Sequence, residues 1–300
     1  DPKDTWAYIL GRSRILNMTD ALTPFSKTLY IYTSPFPARS FFGLYPSFFV
    51  PTLNNLDSTK HFIERLKPNI ICSYPSLLIE LMSHFNAREV NSIPLRYISI
   101  GSEQSSPKQR EALSKFFHCP VLDEYSSEEL GWIATQCSNK TYHVWGDISY
   151  IEESNSVGDE IIGTNLHNFA MPFIRYRQGD VGKISQPVER CACGRNTLVL
   201  NNVFGRKNDE FVFSENKKLS SAYLLDTVYS ILLDLHIDFV DFCLIQVNKN
   251  FVKFEIIPGK TFVKENITII HKKLKSLLQI GVENKVVVVS KLYKTTAGKR

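Results

Sequence analysis

Two groups of residues have the types and spacing to do chemistry. The first centres on Asp180, at the end of Met171-Pro172-Phe173-Ile174-Arg175-Tyr176-Arg177-Gln178-Gly179-Asp180. The run reads as an apolar, aromatic strand that turns at Gly179 and presents a carboxylate beside two arginines. One carboxylate can accept two hydroxyl hydrogen bonds, so it suits the capture of a vicinal diol. The plainer reading is a strand and tight turn with a surface Asp. The second group is a set of soft ligands, Cys137 with His143 and then Cys191 with Cys193. Three Cys and one His are the number and type that close a structural zinc site. Each pair lies on a turn-like stretch, and Gly194 lets the second one bend, although the Cys-x-Cys gap is tighter than the usual two residues. The plainer reading is four unlinked, reduced side chains.

These residues must be held by elements, and the sequence alternates strand and helix. A helix start is read at residues 5–10, and the aromatic, proline-broken residues 28–50 suit short strands lining a pocket. Asp57 or Ser58 can cap a helix that Pro68 stops. Residues 69–74 then form a short apolar run typical of a buried parallel strand. Pro75-Ser76 opens a helix with apolar spacing through Leu77, Leu78, Leu81 and Phe85. The unit repeats with a strand at 95–100, a turn at Gly101-Ser102-Glu103, and a helix from Ser106-Pro107 to about Phe117. A strand at 120–125 follows. This alternation predicts an α/β fold, with a parallel sheet covered by helices and ligands beyond its C-terminal strand ends. Tyr74, the Gly101 turn and Tyr125 then share one rim. Residues 142–203 read as a β-rich subdomain punctuated by glycines. From Arg206 the pattern becomes a small α+β domain: a helix near 220–235, strands near 239–247 and 251–257, a basic helix near 263–279 and a strand at 286–290. The expected division is 1–205 and 206–300.

Bulk properties bound the functional classes. The chain has 300 residues, 43% of them hydrophobic, enough for a sizeable core. No apolar run reaches the roughly 18 residues that span a bilayer, and no signal peptide is read at the N-terminus. The six cysteines make no disulfide framework in a chain this long, so a reducing cytoplasm is the expected compartment. Net charge is +5, and residues 206–300 carry 16 Lys/Arg against 10 Asp/Glu. That basic part could meet phosphates or simply be a solvated surface. Cys72, Cys119 and Cys243 sit in apolar contexts and read as core fillers. The remaining histidines have no partner pattern, and neither G-x-S-x-G nor H-E-x-x-H occurs.

The segment from Pro172 to Asp180 resembles the P-[LF]-I-R-Y-R-x-G-D motif of adenylate-forming ligases, in the branch of phenylacetate–CoA ligase and its capsule-biosynthesis relatives. Four further segments resemble that family in its order. Tyr125-Ser126-Ser127-Glu128-Glu129-Leu130-Gly131 is similar to Y-G-x-[ST]-E-x-G, with Ser126 in place of Gly and Glu128 in place of the hydroxyl residue. The match puts Glu129 at the carboxylate that helps hold Mg²⁺ and the ATP phosphates, with Glu128 as the alternative one residue away. At a helix N-terminus the same acidic pair would only favour the dipole. Gly101-Ser102-Glu103 resembles the turn that packs along adenine, where Gly lets backbone approach a flat ring. Gly205-Arg206-Lys207-Asn208-Asp209 resembles the G-R-x-D-D hinge before the mobile lid, with Asn208 at the usual pivot Asp. Tyr293 to Arg300 resembles the R-T-x-x-G-K terminus, which makes Lys299 the group that stabilises charge during adenylation. Similar cysteine segments occur in this branch.

The resemblance implies an enzyme that uses ATP and Mg²⁺ to convert a small carboxylic acid to an acyl-adenylate, then passes the acyl group to coenzyme A. Asp180 and Arg206 would hold ribose, and Zn²⁺ would be structural. Tyr74 and residues 41–49 would line the acyl pocket. No nucleic acid or membrane partner is implied, and a homodimer is compatible with the sequence. One rival is transfer to a protein, amine or sugar in surface-polysaccharide synthesis. Another is a degenerate, zinc-stapled module without activity. The family's Ser/Thr/Gly-rich phosphate loop is not among these residues, so the chain reads as the last two-thirds of the family's length and is expected to turn over little ATP alone.

Overall fold

The computed structural model describes residues 27–32, 47–51, 55–154, 160–206, 210–214, 217–278 and 281–292. Its parallel part contains β1 (Thr28–Tyr32), β2 (Ser47–Pro51), β3 (Ile70–Ser73), β4 (Tyr97–Gly101) and β5 (Val121–Ser127). The antiparallel part contains β6 (Gly131–Gln136), β7 (Tyr142–Val144), β8 (Ser149–Glu153), β9 (Glu160–Asn165), β10 (Tyr176–Ser185) and β11 (Val199–Arg206). All join one eleven-stranded sheet in the order β2-β1-β3-β4-β5-β6-β7-β11-β10-β9-β8. Pairing is parallel from β2 to β5 and antiparallel from β5 onward. The α/β class, with its helix-covered parallel part and β-rich part, is as the sequence predicts. The antiparallel strands begin at Gly131 rather than Tyr142.

The apolar runs explain the central strands. Every residue of β3 and β4 is buried, as expected where helices cover one face and more chain covers the other. Helices α1 (Leu56–Leu66), α2 (Pro75–Met82), α3 (Ala87–Asn91) and α4 (Pro107–Phe117) pack a core of Ile63, Leu78, Leu81, Ile98 and Leu113. Ser106 caps α4 with Pro107 behind it, and Gln109 completes a capping box. Two boundaries differ from expectation. Asn55, not Asp57 or Ser58, caps α1, its side chain accepting from Asp57 N at 2.7 Å. The helix read through Phe85 stops at Met82, because Asn86 and Glu89 form a capping box that starts α3.

Beyond the large sheet lie a hairpin of β12 (Glu210–Ser214) and β13 (Lys217–Ser220), then α5 (Ser221–Asp234). The small C-terminal sheet combines β14 (Phe239–Asn248), β15 (Phe251–Pro258) and β16 (Glu283–Val288), with α6 (Lys264–Leu278) before its last strand. It has its own core of Leu224, Val228, Phe242, Phe254, Ile270 and Leu274. The last strand starts three residues earlier than read. The two cores meet where α4 packs on α5 and α2 on β14. Among the described residues no helix is long and apolar enough to cross a membrane.

The strand expected at residues 171–174 is instead a loop with Met171 and Ile174 exposed, and the turn expected at Gly179 is a bulge within β10. The strand runs straight through Asp180. Only two of the run's aromatics, Phe173 and Tyr176, pack inward, their rings 5.0 Å apart. The turn between β5 and β6 depends on a neighbouring glycine. Leu130 is fully buried over Gly163 of β9, and a Cβ there would lie 2.1 Å from its Cδ1. Gly163→Ala is expected to destabilise the fold by about 1–3 kcal/mol. Urea unfolding would measure it, and an unchanged midpoint would show that Leu130 repacks freely.

Candidate nucleotide site and metal centre

The C-terminal end of β5, the turn after it and the start of β10 bring five polar side chains together. Tyr125 donates its hydroxyl to Asp180 Oδ2 at 2.7 Å, and Gln178 Nε2 donates to the Tyr125 oxygen. Next to them, Tyr176 donates to Glu129 Oε1 at 3.1 Å. Glu129 is half-buried here, whereas Glu128 points to solvent. The acidic pair lies in a hairpin turn, so no helix dipole explains it. Asn165 reinforces the turn by donating to Glu129 O at 3.4 Å while its own Oδ1 accepts from His167 and Asn168 backbone.

The arginines flanking Asp180 do not face it. Arg175 pairs with Glu152 on β8, and Arg177 with Glu160 on β9. Their role is to tie β10 to the sheet. Asp180 instead stands opposite Arg206 in the β10–β11 register. The neighbouring Gly205, at φ +88°, lies 3.3 Å from Gln104 Oε1 if given a Cβ. The turn after β4 therefore reaches the end of β11. Within that turn, a Cβ on Gly101 would meet Glu124 O at 3.0 Å, so this is a close backbone approach. Ser102 is left-handed at φ +65°, and Glu103 Oε2 accepts from Ser76 N at 3.2 Å, capping α2. Tyr74, buried at the start of α2, shares this rim. Lys299, residues 207–209 and residues 41–46 of the expected acyl-pocket wall lie outside the described residues.

Sequence reading missed Gln178 and Tyr176 as parts of this cluster. The alternation of a strand places them on the same side as Asp180, a signal hidden by reading residue 179 as a strand end. A buried network behind the site was missed as well. Tyr142 donates to Asp123 Oδ2 at 2.5 Å, and Arg110 bridges Asp123 Oδ2 (3.3 Å) and Ser105 O (2.6 Å). Burial pushes the Asp123 carboxyl up to about 6, against the pull of Arg110 and Tyr142. It fastens α4 to β5 and β7, and Ser105 to both.

At the opposite end of the sheet, Cys137, His143, Cys191 and Cys193 converge, with their ligand atoms all within 4.8 Å of one another. Cys137 Sγ lies 3.9 Å from Cys191 Sγ, and Cys193 Sγ 3.3 Å from His143 Nε2. A tetrahedral zinc with Zn–S near 2.3 Å sets ligand atoms roughly 3.5–3.8 Å apart, so these donors fit the ion. His143 Nδ1 meets Thr197 Oγ1 at 3.1 Å, which leaves Nε2 for a metal. Two tight turns supply the sulfurs. Cys137 accepts from Lys140 N at 2.9 Å, and Cys191 O accepts from Gly194 N at 2.7 Å, with Gly194 at φ +87°. The Cys193 backbone N–H pulls the Cys191 thiol below its usual range, while burial pushes Cys193 up. Cys72 and Cys119 are buried away from the cluster as core residues, and Cys243 is half-buried in the C-terminal domain. A cavity of about 430 Å³ opens beside the cluster, between Trp145, Asp147, Arg195 and Leu198, not at the strand rim.

Protein purified without chelator is expected to carry about one zinc per chain, and Cys191→Ser to lose most of it. Metal analysis below roughly 0.2 equivalents in the unaltered chain would remove the metal centre.

No protein-family model and no curated protein sequence matches this chain. Solved structures do. A 2-hydroxyisobutyryl-CoA ligase in its postadenylation state, complexed with R3-HIB-AMP, matches at TM-score 0.76 and 16% identity, covering 99% of this chain and 69% of that one. The same ligase in its thioesterification state, with 2-HIB-AMP and CoA, matches at 0.55 and 16% identity, covering 97% and 67%. A benzoate CoA ligase from Burkholderia xenovorans LB400 matches at 0.63 and 15%, covering 98% and 63%. The amide bond synthetase McbA from Marinactinospora thermotolerans matches at 0.64 and 14%, covering 98% and 62%. The chain thus spans roughly two-thirds of the length of these proteins. At such low identity the likeness establishes the architecture: this chain has the fold of the adenylate-forming CoA ligases.

Proposed function

We propose that this chain is the nucleotide-binding and lid portion of an ATP-dependent enzyme that activates a carboxylic acid as its acyl-adenylate. The carrying observation is the Tyr125–Asp180 hydrogen bond opposite Arg206. Tyr125 donates to Oδ2 and so orients the carboxylate that would accept the ribose hydroxyls. Glu129, oriented by Tyr176, would hold the Mg²⁺ that offsets phosphate charge. Glu103 serves the adenine turn by fixing it to α2, and Gly101 and Ser102 give that turn its shape.

In the first half-reaction an acid carboxylate attacks the α-phosphate, and pyrophosphate leaves. Lys299 neutralises the charge that develops on the reacting oxygens. In the second, the domain beginning at Arg206 turns and the thiol of coenzyme A attacks the acyl carbon, breaking the acyl–phosphate bond and releasing AMP. Higher similarity to a postadenylation structure than to a thioesterification structure of one ligase supports reading this arrangement as the first state. The R-Y-R-x-G-D segment and the cysteine knuckles favour the phenylacetate–CoA ligase and capsule-biosynthesis branch. Transfer to an amine is the second reading, favoured by the likeness to an amide bond synthetase. Both share the adenylation step.

Calorimetry with AMP tests the ribose anchor directly. Asp180→Ala is expected to weaken AMP binding by about 10- to 100-fold, consistent with loss of a charge-assisted pair of hydrogen bonds. Tyr125→Phe should cost less, and equal affinity in Asp180→Ala would sink the nucleotide assignment. Acid-dependent exchange of pyrophosphate into ATP should fall sharply in Lys299→Ala. Unchanged exchange would remove its catalytic role.

A further inference from the structure

The knuckle residue Arg195 presents a problem that the four metal ligands do not solve by themselves. Its Nη1 and Nη2 are both closed off from solvent, and neither has a hydrogen-bond partner. A buried guanidinium with unmade hydrogen bonds is costly, so its place must be explained by a charge or acceptor nearby. The side chain cannot simply swing away. Its backbone carbonyl closes the second knuckle by accepting from Cys191 N at 2.9 Å, and its Cζ lies 5.8 Å from the centre of the Trp145 ring. Trp145 is 7% exposed and belongs to the core behind the sheet. The guanidinium is thereby held on an aromatic face at the edge of the cluster. Arg195 stands two residues from Cys193 and lines the same cavity as His143, and the sulfurs of Cys193, Cys137 and Cys191 oppose the loss of charge that burial favours.

The charge count explains the arrangement. Three thiolates and a neutral imidazole around a divalent ion leave one net negative charge in a largely buried site. Arg195 carries one positive charge, so cluster and arginine together are neutral.

We propose that Arg195 is a positioning residue of the metal centre, its guanidinium neutralising the charge of a Cys₃His-bound divalent ion. The inference rests on the zinc reading above and selects divalent, thiophilic ions over monovalent ones. A monovalent ion would leave the assembly negative.

The test uses the full 300-residue chain, with Zn²⁺ affinity measured by chelator competition and Co²⁺ as a spectroscopic probe. Arg195→Met, which keeps the stem but not the charge, is expected to weaken Zn²⁺ binding by about 10- to 100-fold. It should also shift the sulfur-to-cobalt charge-transfer band, which a purely structural loss of stacking would leave in place. Arg195→Lys should recover part of the affinity, since it restores charge without the fork. Wild-type affinity and an unmoved band in a folded Arg195→Met would overturn the role of Arg195 while leaving the metal centre standing. Failure of the unaltered chain to bind either ion would overturn both.

Discussion

The candidate nucleotide site depends on one constraint, the register of β10 against β11. Asp180 lies opposite Arg206 because that ladder shifts between Val181 and Gly182 and again between Lys183 and Ile184. The β10–β9 ladder is irregular as well, between Arg177 and Val181. A slip of one residue in a strand reverses which face each side chain occupies. It would carry Asp180 away from the Tyr125 hydroxyl and Glu129 away from Tyr176. Gly179, at φ +84°, absorbs the bulge in a conformation other residues adopt at a cost. The geometry of the site is thus a property of strand pairing more than of any single side chain.

What holds that register is found at the far end of the same strands. Residues 186–198 join β10 to β11 as a long irregular loop, a feature that by itself costs order. Cys191 and Cys193 lie in this loop, while Cys137 and His143 flank the loop between β6 and β7. A metal held by the two loops would staple one hairpin to the next. Val199 pairs with His143, so β11 leaves the cluster in fixed phase. Over its eight residues it travels roughly 23 Å, at about 3.3 Å per residue, to place Arg206 opposite Asp180. Cysteine cluster and proposed ribose anchor are two ends of one strand.

Much of this was legible in the sequence, for local reasons. Continuous apolar runs such as Ile70-Ile71-Cys72 announce buried parallel strands, and Ser106-Pro107 announces a helix start. The Cys₃His set was legible because ligand chemistry is carried by residue type, whatever the fold between the pairs. The elements that were misread have non-local causes. Met171 to Ile174 is apolar enough for a strand, but no ladder forms along it among the described residues beyond one bond from Asn165 N to Phe173 O, and two of its side chains face solvent. Gly179 marks a turn in one dimension and a bulge once β9 and β11 lie alongside. The hairpin role of Glu128 and Glu129 follows from β6, whose six residues pair with both β5 and β7.

The functional arginines show why residue type alone does not assign a role. Arg175 and Arg177 stand close to Asp180 in sequence, yet they are drawn to glutamates on β8 and β9. Within β10, alternation sets Arg177 on the face opposite Tyr176 and Gln178. Arg195, eighteen residues beyond Arg177, is bound by a different logic. No carboxylate meets its Nη groups among the described residues, and we propose that sulfur balances its charge. Two of these three arginines brace the sheet edge, and the third would make a charged metal cluster tolerable inside a core that otherwise excludes charge.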